Sequence, residues 1–237
     1  MAALMQAVGL TRHFGGLAAV DGVDISVLPG EVHALIGPNG AGKTTLVSLL
    51  SGRIAAQSGQ VLLGGQDITP LPAHARVRLG VAYTFQITSI YQGLSVFDNV
   101  ALAVQGRANI AAEVARALRR VGLVGFDTQL AGTLSYGHQR LLELAMGLAL
   151  KPRVLILDEP TQGLAAGEID GFKTLVQSLV PDIAVLLIEH NMEVVMDLAD
   201  RITVLNFGKV LAVGTPAEIR ANPAVQDAYL GGDDAAG

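Results

Sequence analysis

The sequence predicts an α/β fold built on a mostly parallel sheet, and three observations carry that prediction. Short apolar runs alternate with helical patterns, two of the runs are apolar without interruption, and a glycine-rich turn joins one run to the helix after it. The alternation reads 33–36 then 43–50, 154–157 then 169–179, and 183–188 then 192–198. Strands joined through helices run parallel, and the unbroken runs 154–157 and 184–188 suit strands covered on both faces.

Two regions depart from this alternation. The first thirty residues and the stretch 61–65, with its turn-forming Gly64-Gly65, read as antiparallel strands beside the sheet. Between 94 and 150 the pattern is almost entirely helical, with 110–121 and 138–150 spaced as amphipathic helices. The expected division is an antiparallel β lobe (about 1–30 and 60–68), an α/β core (31–59, 69–86 and 151–215), a helical subdomain (87–150) and a helical tail (216–237). No internal repeat is present, and only 231–237 has linker composition.

Composition narrows the functional classes. A chain of 237 residues, 51% hydrophobic, can bury one substantial core. Its 16 Lys and Arg against 21 Asp and Glu give a formal charge of -5, a poor footing for a nucleic-acid backbone, so no nucleic-acid partner is expected. With no cysteine there is neither a disulfide framework nor a thiolate metal site, which fits a reducing compartment. Residues 1–11 lack a basic segment and a cleavage site, so no signal peptide is read. The longest charge-free stretch, 79–97, is too polar to cross a bilayer. A mean hydropathy of +0.47 fits either an aliphatic α/β interior or apolar surface covered by a partner.

Gly37-Pro38-Asn39-Gly40-Ala41-Gly42-Lys43-Thr44 satisfies G-x-x-x-x-G-K-[ST], between a strand and a helix as the motif requires. Glycines let the backbone curl until N–H groups point at phosphate oxygens, and the following helix adds the positive end of its dipole. Lys43 is placed to reach the β- and γ-phosphates and Thr44 to offer its hydroxyl to Mg²⁺; Thr45 completes the expected nucleotide-contacting set.

A second apolar strand ends in Asp158-Glu159, which puts both carboxylates at the C-terminal edge of the sheet, where ligands bind in open α/β folds. Asp158 is expected to hold Mg²⁺ through water and Glu159 to polarise the water that attacks the γ-phosphate. The two motifs together specify a P-loop NTPase with a RecA-like core; a GTPase, a kinase or a helicase carries them too.

Leu134-Ser135-Tyr136-Gly137-His138-Gln139-Arg140 discriminates among these. The segment resembles the L-S-G-G-Q signature of the ABC ATPase family, matching at Leu134, Ser135 and Gly137 and departing at Tyr136 and His138. A serine hydroxyl, a glycine N–H and a helix N-terminus suit an anion, and the same serine also suits an ordinary helix cap. The resemblance runs from about residue 10 to residue 230, and it implies further roles. It makes Ser135 and Gly137 contacts to a γ-phosphate bound on the opposite protomer, Phe14 the aromatic stacked on adenine, and Gln86 the glutamine at Mg²⁺. His190 becomes the histidine that contacts the γ-phosphate and orients Glu159, so Glu159, His190 and Lys43 form the expected catalytic set. Gly163-Leu164-Ala165 lacks the aspartate usual at its third position. Because His13, His33 and His74 show no ligand spacing, no further metal is expected.

Phe14-Gly15-Gly16, the Ser135–Arg140 stretch, Glu189-His190-Asn191-Met192, Gly214-Thr215-Pro216 and Ala228-Tyr229-Leu230-Gly231 resemble importers of branched-chain or hydrophobic amino acids. Urea and amide importers share this look. Asp67-Ile68-Thr69, the segment 71–76 and the segment 94–99 also resemble the ATPase of lipopolysaccharide export. The implied cofactors are ATP and Mg²⁺. The implied partners are integral permease subunits, a second ATPase subunit of the same or another chain, and a substrate-binding protein reached through the permease. The implied location is peripheral, on the cytoplasmic face of the inner membrane, with the apolar cluster at 86–91 as the partner-facing surface. Two rivals are a soluble ABC ATPase acting on DNA or ribosomes and a regulator without turnover. The first usually has paired units or coiled-coil arms that this chain lacks, and Glu159 and His190 argue against the second.

Overall fold

The computed structural model describes residues 2–84 and 89–230. In chain order the elements to the end of the first crossover are β1 (Met5–Phe14), β2 (Leu17–Val27), β3 (Val32–Ile36), α1 (Lys43–Ser51), β4 (Ser58–Leu63), β5 (Gln66–Asp67), α2 (Ala73–Arg78) and β6 (Val81–Thr84). Next come α3 (Val96–Ala103), α4 (Ile110–Arg120), a 3₁₀ turn (Ala131–Thr133), α5 (Tyr136–Ala149), β7 (Val154–Asp158), α6 (Ala166–Leu179) and β8 (Ala184–Ile188). The chain continues through α7 (Met192–Leu198), β9 (Arg201–Asn206), β10 (Lys209–Gly214), α8 (Pro216–Ala221) and α9 (Pro223–Leu230).

Two sheets result. The larger has six strands in the order β10-β9-β3-β8-β7-β6, all neighbours parallel except the edge hairpin β9–β10. The smaller is antiparallel, in the order β2-β1-β4-β5. The unbroken apolar runs are strands buried on both faces. Leu155 and Leu157 of β7 enter one core layer with α5 and α6, while Val154 and Ile156 enter the other with α1 and the antiparallel sheet. β8 divides in the same way, Val185 and Leu187 to one side and Ala184, Leu186 and Ile188 to the other. A third, smaller layer joins Ala34 and Ile36 of β3 to α7, β9 and the two C-terminal helices.

Capping chemistry sets several helix starts and corrects two of the expected ones. The Ser135 hydroxyl accepts from the His138 N–H, so α5 begins at Tyr136, and Gly137 and His138 lie within its first turn. α6 begins at Ala166, three residues before the apolar periodicity becomes visible, where the Ala165 N–H donates to Glu168 Oε2 at 2.9 Å. Asn191 caps α7 by accepting from Glu193 and Val194. Among the described residues, no helix is long and apolar enough to cross a membrane.

The two sheets are tied by a buried charge cluster. Glu31 Oε1 accepts from the Leu28 N–H at 2.5 Å and from the Arg201 guanidinium at 2.9 Å, and His33 Nδ1 lies 3.5 Å from it. Arg201 also donates to Ser26 O at the end of β2. Burial pushes the Glu31 carboxyl up, but the His33 ring beside it and the hydrogen bonds from Leu28 and Arg201 outweigh it and hold the group below the ordinary carboxylate value. A depressed native value stabilises the fold at neutral pH and is lost as pH falls through it. Glu31→Gln removes that charge and is expected to cost about 1–3 kcal/mol at pH 7. The difference from wild type should shrink in urea melts at acidic pH, and a difference independent of pH would contradict this account.

Candidate active site

The turn between β3 and α1 is shaped by what lies behind it. A Cβ on Gly37 (φ 151°) would sit 2.2 Å from Leu205 O, and one on Gly42 (φ 103°) would sit 2.1 Å from Ala19 O. Only glycine fits where the loop backs onto β9 and β2. Lys43, 6% exposed, folds its side chain over the loop and donates from Nζ to Gly37 O at 2.7 Å and Pro38 O at 3.0 Å. Burial pushes its ammonium below the ordinary lysine value, against the opposing pull of the Glu159 and Asp158 charges.

β7 delivers the carboxylates. Asp158 is 3% exposed and accepts a 2.5 Å hydrogen bond from the Tyr83 hydroxyl of β6. Burial pushes the Asp158 carboxyl up, Tyr83 pulls it back, and the neighbouring Glu159 charge pushes it up again. Tyr83 is itself pushed well above its ordinary value by burial and by Asp158, and the Arg53 guanidinium lies 5.0 Å over its ring. Glu159 adopts φ 48°, a left-handed conformation uncommon for a residue with a side chain, and its N–H donates to Ile188 O of β8 at 2.9 Å. Its Oε1 contacts His190 Nε2.

Lys43, Glu159 and His190 share one open cleft of about 620 Å³, lined also by Asn39, Gly40, Ala41, Thr44 and Gln162; Asp158 is not among the residues that line it. A cleft with a glycine-rich loop, one lysine and a carboxylate–histidine pair can hold a polyphosphate and polarise a water beside it. Phe14 is 47% exposed, with the Arg12 guanidinium 5.0 Å from its ring centroid, so it is a surface aromatic rather than a core one. Gln86 falls outside the described residues. Of the cluster at 86–91, Ile90 packs against the helical core layer and Tyr91 is 60% exposed, while 86–88 are not described.

Ser135 and Gly137 do not line this cleft. Gly137 is buried where α5 meets α6, and a Cβ there would sit 2.2 Å from Glu168 Oε1. The unexpected Tyr136 lies against Gly163, whose Cβ would be 3.0 Å from its ring, and Arg140 stands 5.5 Å from that ring. Tyr136 and Glu168 therefore interlock the head of α5 with the loop that leads into α6.

The donor set also bears on a metal ion. Among the described residues, no group of three or more His, Cys, Asp or Glu side chains forms a protein-only cage. A threonine hydroxyl in the cleft and a buried, pushed-up aspartate suit an ion that arrives with phosphate oxygens, as Mg²⁺ does. Sequence reasoning missed Tyr83, Arg53, Gln162 and Glu168 and read Glu189 only as part of a segment. A detectable signal existed for Glu189, because an acid directly extending the buried run 184–188 must find hydrogen-bond donors.

Comparisons with known proteins identify the family and the fold. The ABC transporter family profile matches residues 20–162, and a branched-chain amino acid ATP-binding cassette transporter profile matches residues 209–235. The high-affinity branched-chain amino acid transport ATP-binding protein BraF of Pseudomonas aeruginosa is 41% identical, over 96% of this chain and 98% of its own. LivG of Escherichia coli, described in the same words, is 37% identical over the same shares. A nucleotide-free ATP-binding cassette from an ABC transporter superposes with a TM-score of 0.90 at 27% identity, over 96% of this chain and 99% of its own. The ADP conformation of an ABC-transporter cassette superposes with a TM-score of 0.89, also at 27% identity, over 98% of this chain and all of its own. With a profile spanning more than half its length, relatives above 30% identity along nearly all of it and a cassette fold, the chain belongs to the ABC transporter family as an ATP-hydrolysing subunit.

Proposed function

We propose that this chain powers import of branched-chain amino acids by hydrolysing Mg-ATP in a site that it shares with a second ATPase subunit. The observation that carries the shared site is the partition of the groups assigned to the phosphates and the attacking water. Lys43, Thr44, Glu159 and His190 line one cleft, and Ser135 stands outside it at the head of another helix. Support for the cargo comes from the profile match at residues 209–235 and from the names of the two relatives.

In this reading the phosphates seat on the loop Gly37, Pro38, Asn39, Gly40, Ala41, Gly42, Lys43, Thr44 and Thr45, bonded by main-chain N–H groups of all but Pro38, which has none, and Phe14 stacks on adenine. Lys43 exchanges its bonds to Gly37 O and Pro38 O for the β- and γ-phosphate oxygens. Mg²⁺, held by Thr44, Gln86 and Asp158, would neutralise charge on the phosphate oxygens. Glu159, fixed by its left-handed backbone and by His190, orients the attacking water and takes its proton as the bond from the γ-phosphorus to the bridging oxygen breaks. The Ser135 hydroxyl and the head of α5 contact the γ-phosphate of the opposite subunit. The 1–30 and 60–68 lobe, the α/β core and the 87–150 helical subdomain work as parts of one ATPase unit, followed by the 216–237 tail. The chain sits on the cytoplasmic face of the inner membrane beneath permease subunits, with the 86–91 region facing them.

Lys43→Ala is expected to weaken Mg-ATP binding roughly ten- to a hundredfold in calorimetry, through loss of charge-assisted hydrogen bonds. Unchanged affinity would place the nucleotide elsewhere. Glu159→Gln keeps size and polarity but cannot accept the proton, so phosphate release should fall about 10²- to 10⁴-fold while ATP still binds. Turnover at the wild-type rate would remove Glu159 from its role. The cargo is tested by reconstituting the chain with the integral subunits that co-purify from membranes. ATP-driven accumulation of leucine, isoleucine or valine is expected, and accumulation of urea instead would overturn the amino-acid assignment.

A further inference from the structure

Glu189 is 3% exposed, carries a carboxylate and has no part in the chemistry above. It directly follows β8, and both of its oxygens are in use. Oε1 accepts from the Thr161 N–H at 2.9 Å and from the Thr161 hydroxyl at 2.6 Å. Oε2 accepts from the His190 N–H at 3.0 Å and from the Asn191 N–H at 3.2 Å. One side chain therefore splints two loops, the one carrying Glu159 out of β7 and the one carrying His190 out of β8.

We propose that Glu189 is a positioning residue for ATP hydrolysis, holding the β7 and β8 loops in the one register that lets the Glu159 carboxylate meet the His190 ring. The inference rests on the roles given above to Glu159 and His190. Three features of the splint support it. First, the residues it grips flank the catalytic pair: Thr161 is two residues beyond Glu159, and His190 is gripped by its own N–H. Second, Glu159 holds a left-handed backbone, a conformation that persists only where its surroundings over-determine it, and the Glu189–Thr161 bonds do so from the C-terminal side. The Glu159 N–H bond to Ile188 O does so from the other. Third, the four contacts need an acceptor at both ends of the side chain. A glutamine turns an NH₂ toward one pair of donors, and an alanine leaves all four without this partner. Beyond the catalytic pair, Thr161 leads toward Ala165 at the start of α6, and Asn191 caps α7. The same carboxylate thus also holds the residue that caps α7.

The test is steady-state hydrolysis by the full-length chain, in its assembled transporter where that is needed for measurable turnover, together with ATP affinity by calorimetry and a thermal melt. Glu189→Gln should lower kcat roughly ten- to a hundredfold, as expected when a catalytic group is misplaced by a fraction of an ångström to an ångström, with KM and ATP affinity within about twofold of wild type. In a His190→Ala background the same substitution should lower kcat by less than about threefold, because the contact it positions is already gone. A folded Glu189→Gln variant with kcat within about twofold of wild type would overturn the proposal, as would an equal fold-loss in both backgrounds. If Glu189→Gln does not fold, Thr161→Val removes one of the four contacts. It should lower kcat without raising KM, and an unchanged kcat would again overturn the proposal. Glu159→Gln measured alongside separates the two levels. Retained turnover there sinks the active-site reading itself, whereas lost turnover there beside normal turnover in Glu189→Gln sinks only the positioning role.

Discussion

The phosphate loop is held from behind by main-chain carbonyls, and the rest of the site is built outward from that contact. Leu205 O presses on Gly37 and Ala19 O presses on Gly42, so the loop belongs to both sheets at once. The turn between β9 and β10 completes the joint, since the Gly208 N–H donates to Ala41 O and Gly208 O accepts from the Asp21 N–H. A loop fixed on both sides can present its backbone to a polyanion without first being ordered, which removes an entropic cost from binding. The antiparallel sheet thus supports the site by gripping the loop, and in the proposed reading also by carrying Phe14.

Strand order then decides which groups meet. β8 lies between β3 and β7, so the residues that follow β8 stand between the phosphate loop that follows β3 and the two acids that close β7 and follow it. Neighbouring strands are roughly 5 Å apart, which brings the His190 ring within reach of Glu159 and puts Glu189 between two loops that both need donors satisfied. β6, on the far side of β7, supplies the Tyr83 hydroxyl that orients Asp158. Tyr83, Asp158, Glu159 and His190 all come from strand ends or the loops directly after them, where a rigid scaffold carries a short loop. Buried charge is tolerated here because it is mixed, with Lys43 close to Asp158 and Glu159.

Much of this was legible in the sequence because the chemistry is local. The phosphate loop is one continuous segment, the acidic pair ends an unmistakable apolar strand, and uninterrupted hydrophobicity marks strands covered on both faces. What escaped was non-local or masked by capping. Tyr83 meets Asp158 across 75 positions of sequence, and Glu189 meets Thr161 across 28, so no window of sequence contains either pair. α6 starts early because the Glu168 carboxylate satisfies the Ala165 N–H, compensating for an alanine whose side chain cannot cap. Tyr136 looked like a departure from a glycine signature, and the structure gives it work: it packs on Gly163 and so joins the head of α5 to the loop before α6.

The central claim is that a single chain holds only part of a catalytic site, with Ser135 serving a nucleotide that another subunit binds. The most direct measurement is hydrolysis by the assembled transporter carrying Ser135→Arg, read beside the ATP affinity of the isolated variant chain. The account predicts that the isolated chain binds Mg-ATP as wild type does, since Ser135 lies outside the cleft, while turnover of the assembly falls by at least about half, one of its two sites being disabled. Undiminished turnover in the assembly, or loss of ATP binding by the folded chain alone, would contradict it.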